Sequence, residues 1–267
     1  MILASSPSWT LPVSVLAMLA YVLPVLGSAR LGDRTARALL WLAWISHALV
    51  LLALLGGSGR VGFAPALSVT AWLVLTAYLV ESQFFPQLRA RLVFGSLGAA
   101  AVLLSLLFPG APRDIQAWSW LPLHWVLGLS AYGMFAAAVV HGWMMTRAER
   151  DIRMAQDAGN GLPLLTLERL TFRFVYAGFV LLTATLLAGT LFGELFYGED
   201  HPAWRWDHKR VFAVLSWLTF ALLLIGRHRW GWRGRRAVRV LYMGAGLLLL
   251  SYAGSRFVME VLLGRGA

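Results

Sequence analysis

The sequence contains no cysteine, and its only lysine is Lys209. The missing thiols exclude structural disulfides, thiol redox chemistry, Cys-ligated zinc and iron–sulfur clusters. Charge is scarce as well. Only 13% of the 267 residues are charged, where about 25% is usual for a soluble domain. Hydrophobic residues make up 59%. That leaves too little polar surface to cover a water-soluble globule, and points to a membrane as the solvent. No Ser/Gly-rich or Pro-rich linker divides the chain, so a single domain over 1–267 is expected. Met1 to Thr10 lacks the basic residue that a cleaved signal peptide needs, so Leu11 to Ala29 is expected to be retained as a first span. Acidic residues number 12 against 23 Lys and Arg, a net charge of +11. A basic chain can bind nucleic acid when its charge gathers on a soluble face. Here the charges sit in short gaps between apolar runs, so membrane loops explain them and no nucleic-acid partner is expected.

What is present is eight long apolar runs, at roughly 9–29, 38–57, 64–85, 91–109, 121–145, 170–192, 210–226 and 239–262. Each suits a hydrocarbon core about 30 Å thick. Backbone in lipid must satisfy its own hydrogen bonds, so the runs are expected to be helices. The expected fold is all-α, a polytopic membrane bundle of about eight spans in which the seventh is the shortest. Sixteen of the 23 basic residues fall in the gaps after spans 1, 3, 5 and 7, and six in the alternate set. This bias predicts that the first set is cytoplasmic and both termini are not.

The outer loops then carry the most mixed chemistry. Glu194 to Lys209 reads ELFYGEDHPAWRWDHK, with Trp204, Arg205, Trp206, Asp207, His201 and His208. The segment before span 5, RDIQAWSWLPLHW, carries Trp118, Trp120, His124 and Trp125. An interfacial aromatic belt accounts for tryptophans at membrane edges. It does not account for Trp, His, Arg and Asp crowding two loops on one side. Haem is a planar macrocycle with two carboxylates and an imidazole-binding iron, and it suits such a set. Trp faces can stack on it, and Arg205 can pair with a propionate.

The segment WRWDHK, Trp204 to Lys209, resembles the end of the tryptophan-rich WWD motif of cytochrome c assembly membrane proteins. SWLTFALLLIGRHRWGWRGRRAVRVLYMGAGLLLLSYAGSRFV, Ser216 to Val258, is similar to that family's later helices and its basic Gly-Trp-Arg-Gly turn. LPLHWVLGLSAYGMFAAAVVHG, Leu121 to Gly142, resembles its helix that opens on an outer histidine. The likeness is clear over about 121–262, and is nearest the small YpjD-type branch.

The resemblance implies a multi-pass bacterial inner-membrane protein that presents haem at the outer face for attachment to apocytochrome c. The haem would be b-type and non-covalently held, with transient occupancy allowed. An assembly partner protein would complete the system, since the large outer domain of a full synthase has no counterpart among these residues; no enzyme activity is expected of the chain alone. By the resemblance, His124 is the outer iron ligand and His228 an inner one. Trp204, Trp206 and Asp207 belong to the motif. Departures are clear. Glu-Asp-His-Pro stands where the family has further Trp and Gly, and His208 and Arg210 replace its Pro and Glu. The family's second outer histidine has no counterpart, leaving His208 or His201 as substitutes.

The other polar groups have two readings each. His141, level with His228, is a candidate for the same inner haem site. His47 lies mid-span, where an imidazole is costly unless paired or functional. Arg256 and Glu260 lie four apart in span 8 and are expected to share a face as an ion pair, or to turn Arg256 toward the ligand. Two other classes fit the composition: a transporter of an ion or small metabolite, and a structural partner in a membrane complex.

Overall fold

Long apolar runs in lipid have one economical backbone solution, the helix, whose hydrogen bonds all close within the segment. The computed structural model describes residues 8–27, 31–56, 60, 62–85, 91–111, 121–154, 163–191 and 207–263. Among them run eight helices: α1 Thr10–Leu26, α2 Asp33–Gly56, α3 Phe63–Phe84, α4 Arg91–Leu107, α5 Leu121–Arg153, α6 Leu164–Leu191, α7 His208–Trp230 and α8 Gly234–Leu249. The last continues through a π-helical stretch, Leu250–Gly254, a short α stretch, Ser255–Phe257, and a second π stretch, Val258–Leu262. The expected all-α membrane bundle is therefore found. Six helices, α2, α3, α5, α6, α7 and the α8 continuum, are long and apolar enough to cross a membrane, while α1 and α4 are shorter apolar helices.

Several helices outrun the apolar windows. The seventh run, expected over 210–226, is the 23-residue α7. The fifth extends to Arg153 and the sixth starts at Leu164. Arg and Glu are good helix formers, so a helix continues past the hydrocarbon edge that hydropathy detects.

The helices gather into two compact units, 1–114 with 256–267, and 115–255. In the first, α1 packs on α2 and α4, and α3 packs on both α2 and α4, which closes a ring of four. At its centre Tyr21, His47 and Ser68 are fully buried. Tyr21 Oη lies 2.9 Å from His47 Nδ1, and His47 Nε2 lies 2.8 Å from Ser68 Oγ. One imidazole thus ties α1, α2 and α3 together, with both ring nitrogens used. Tyr21 can reach inward because Gly98 of α4 faces it; a Cβ there would strike the phenol ring. The intramembrane His47 is thereby explained as a paired group. Replacing it by leucine orphans two buried hydroxyls, at a cost of roughly 1–3 kcal/mol each. Denaturant titration of His47→Leu in micelles should show that loss, and an unchanged midpoint would remove the imidazole as a structural tie.

The Arg256–Glu260 pair departs from expectation. No ion pair closes between them among the described residues; the Glu260 carboxylate instead lies against Gly62 and takes a hydrogen bond from the backbone of Phe63. It sits at the N-terminus of α3, where a carboxylate meets unsatisfied N–H groups and the positive end of the helix dipole. Arg256 still acts electrostatically on that carboxylate, from beyond ion-pair distance.

In the second unit α5 packs on α6 and α8, and α7 packs on α6 and α8. The core centres on Phe135 and Phe220, stacked at 3.7 Å and 5°. Leu182, Leu223, Leu241 and Leu248 surround them. Gly244 gives Phe220 its room, since a Cβ would come within 2.8 Å of the ring. At the first π stretch, Tyr132 Oη donates to the Leu248 carbonyl, and Ser251 Oγ donates to the same oxygen.

Candidate functional site

Three helix ends of the second unit meet around His124. It lies in the first turn of α5 and is partly buried. Its Cε1 faces Gly189 near the end of α6, only 3.3 Å from where a Cβ would stand. The Arg210 guanidinium, in the first turn of α7, lies close enough to act electrostatically on the imidazole. Glycine at 189 thus lets an imidazole lie against a helix backbone, and a cation sits beside it.

Asp207 is the N-cap of α7. Its backbone is extended, at φ −91° and ψ 159°, and its side chain accepts from the Arg210 N–H at 2.9 Å. This is the usual way a short carboxylate satisfies an orphan donor at a helix start. The motif aspartate therefore fixes where α7 begins. His208 follows it at the exposed surface, with Lys209 and Arg210 partly buried. Trp204, Arg205, Trp206 and His201, together with Trp118 and Trp120, lie outside the described residues.

The other end of the unit is a charged cluster. Arg227 Nη1 pairs with Glu168 Oε1 at 2.6 Å, with side chains 22% and 11% exposed. The same guanidinium lies 3.6 Å over the Phe172 ring. Arg233 approaches Glu168 at 3.5 Å, and Arg235 approaches Glu149 at 3.9 Å. The turn between α7 and α8 is made by Gly231 at φ +62° and Gly234 at φ +55°, a region that favours glycine. The Trp232 N–H closes back on the Gly226 carbonyl at 3.1 Å, as helix C-termini with a left-handed glycine do.

His141 and His228, matched in sequence to one inner site, have different surroundings. His141 is 1% exposed and bonds the Ala137 carbonyl through Nδ1 at 2.8 Å. A carbonyl only accepts, so Nδ1 is the donor in this bond. Its ring lies 5.2 Å from that of Phe174. His228 is exposed in the last turns of α7, and lines an open depression with Leu224, Ile225, Arg229 and Trp230. Sequence reasoning missed Glu168 and Phe172. Their spacing of four on one helix face, among many arginines and few acids, was the available signal.

The cytochrome c assembly protein family matches residues 33–263. The chain is 31% identical over 150 residues to the inner membrane protein YpjD of Escherichia coli, covering 55% of each. It is 28% identical over 194 residues to the cytochrome c biogenesis protein CcsA of Prochlorococcus marinus subsp. pastoris, covering 73% of this chain and 52% of that one. To the CcsA of a Synechococcus strain it is 32% identical over 109 residues, covering 39% of this chain and 31% of the relative. The chain spans about half the length of the first two of these curated relatives. No solved structure matches it significantly. With a match that takes in seven of the eight described helices and both clusters of the second unit, the chain belongs to the cytochrome c assembly protein family.

Proposed function

We propose that this protein handles haem for cytochrome c biogenesis in the bacterial inner membrane and presents it at the outer face. The observation that carries the reading is the convergence on His124 of the ends of α5, α6 and α7, with an imidazole against Gly189 and a guanidinium alongside. The donor set fits haem. A partly buried imidazole serves iron, and Arg210 with Lys209 stands where propionate charge needs a cation. His124 would hold the iron from the start of α5. Trp204 and Trp206 would offer ring faces, and Arg205 a further cation. His208 is a candidate second ligand, placed by the Asp207 cap. His228, with His141 as its partner, is the proposed inner haem site. Haem is the cargo, b-type and non-covalently held, and the thioether bonds it forms are made on a partner apocytochrome. This chain's share is to bind, orient and shield it, together with an assembly partner.

The sidedness belongs to the same proposal. Both termini lie outside, because sixteen basic residues occupy the opposite set of gaps. A reporter fused after Ala267 should be active outside the cytoplasm, and one inserted near Asp157 inside. Reversed signals would place the WRWDHK loop on the wrong side and end the outer-face reading. The direct test of cargo is colour: membranes enriched in the protein should show a Soret band that co-purifies with it. Colourless protein that moves an ion would favour transport instead.

A further inference from the structure

The turn between α7 and α8 is far more basic than its ion pairs require. Arg227, Arg229, Arg233, Arg235, Arg236 and Arg239 fall within 13 residues. Two carboxylates meet them, Glu168 and Glu149, which leaves a local excess of four positive charges. Arg236 stacks over Trp232 at 4.3 Å, so its guanidinium is held in place at the surface. Arg229 and Arg239 are exposed and make no ion pair among the described residues.

These cations are continuous with apolar surface on the same helix faces. On α7 the exposed side chains Leu218, Leu222 and Ile225 recur at helical spacing and lead to Arg229. On α8, Met243 is exposed one turn beyond Arg239 and shares its face. The open depression along α7, which His228 also lines, runs from Leu224 and Ile225 to Arg229 and Trp230. Exposed apolar side chains on each helix thus lead to guanidinium groups, with indole rings beside the turn. Apolar surface that ends in cations suits a phospholipid, whose anionic headgroup carries acyl chains.

We propose that the α7–α8 turn is a binding site for an anionic phospholipid, with the headgroup on Arg229, Arg236 and Arg239 and the chains along the exposed faces of α7 and α8. Arginine offers several donors in a fixed fork to a phosphate, and juxtamembrane basic clusters attract anionic lipid. The bilayer itself supplies this ligand, so no soluble partner is required.

The test uses the whole protein in nanodiscs of mixed phosphatidylglycerol and phosphatidylcholine, released into the gas phase for native mass spectrometry. The wild type should retain phosphatidylglycerol in preference to phosphatidylcholine. The preference should fall about fivefold for each of Arg229→Gln, Arg236→Gln and Arg239→Gln. The matching Arg→Lys variants should keep most of it, and Arg34→Gln with Arg37→Gln, on α2, should leave it unchanged. A wild type without preference would overturn the site, and needs no variant to fold. Equal loss in the α2 control would reduce it to general surface charge. Displacement of the lipid by inorganic phosphate alone would make it a phosphate site. Haem content is not the readout, so this inference and the proposed function fail separately.

Discussion

His124→Ala should strip haem from the purified protein while leaving its level in the membrane unchanged. The imidazole stands against Gly189 with Arg210 beside it, so alanine removes the proposed iron ligand without touching the packed core around Phe135 and Phe220. Loss of a group that only orients a metal ligand costs about 10–100-fold in affinity, and loss of the ligand itself should cost at least as much. Soret absorbance per protein, measured after mild solubilisation, should therefore fall by about tenfold or more. Trp206→Ala should act in the same direction by removing a stacking face, and His201→Ala should do little. An undiminished Soret band in His124→Ala would show that the family's outer histidine has no haem role in this chain.

Glu168→Ala should be among the most destabilising single changes in the second unit. The carboxylate answers Arg227 at 2.6 Å and Arg233 at 3.5 Å, and it is 9% exposed as a residue. Removing it leaves the largely buried Arg227 guanidinium on the Phe172 ring without its counter-charge. Breaking one side of such a pair costs about 3 kcal/mol, chiefly because the remaining charge stays desolvated. Removing both charges is different, because apolar groups of similar size carry no such penalty. Glu168→Leu combined with Arg227→Met should therefore recover much of what Glu168→Ala loses. Thermal unfolding in detergent checks both, and a double variant as unstable as the single one would reject this account of the cluster.

The two ends of the second unit illustrate how far residues alone could be read. WRWDHK marked the start of α7, but spacing could not show that Asp207 is spent on the Arg210 amide as a helix cap. Nor could it show that Gly189, 65 positions after His124 in sequence, is the surface that receives the imidazole. His141 and His228 were matched by level along the membrane. Depth gave no information on rotation about each helix axis, and the structure buries one and exposes the other.

The sequence by itself determined the membrane solvent, the helical class, the number of apolar runs and the family. Those follow from one-dimensional quantities: apolar length against bilayer thickness, the absence of thiols, and a short motif near a helix start. Only the tertiary structure decided which polar groups answer one another. The Tyr21–His47–Ser68 chain, the Glu168–Arg227 pair and the Glu260 carboxylate at the α3 N-terminus each join one helix to another. Where a helix is apolar nearly all round, hydrophobicity does not say which face turns inward. Close packing at glycines and the need to partner each buried polar atom make that choice, and both operate only between helices.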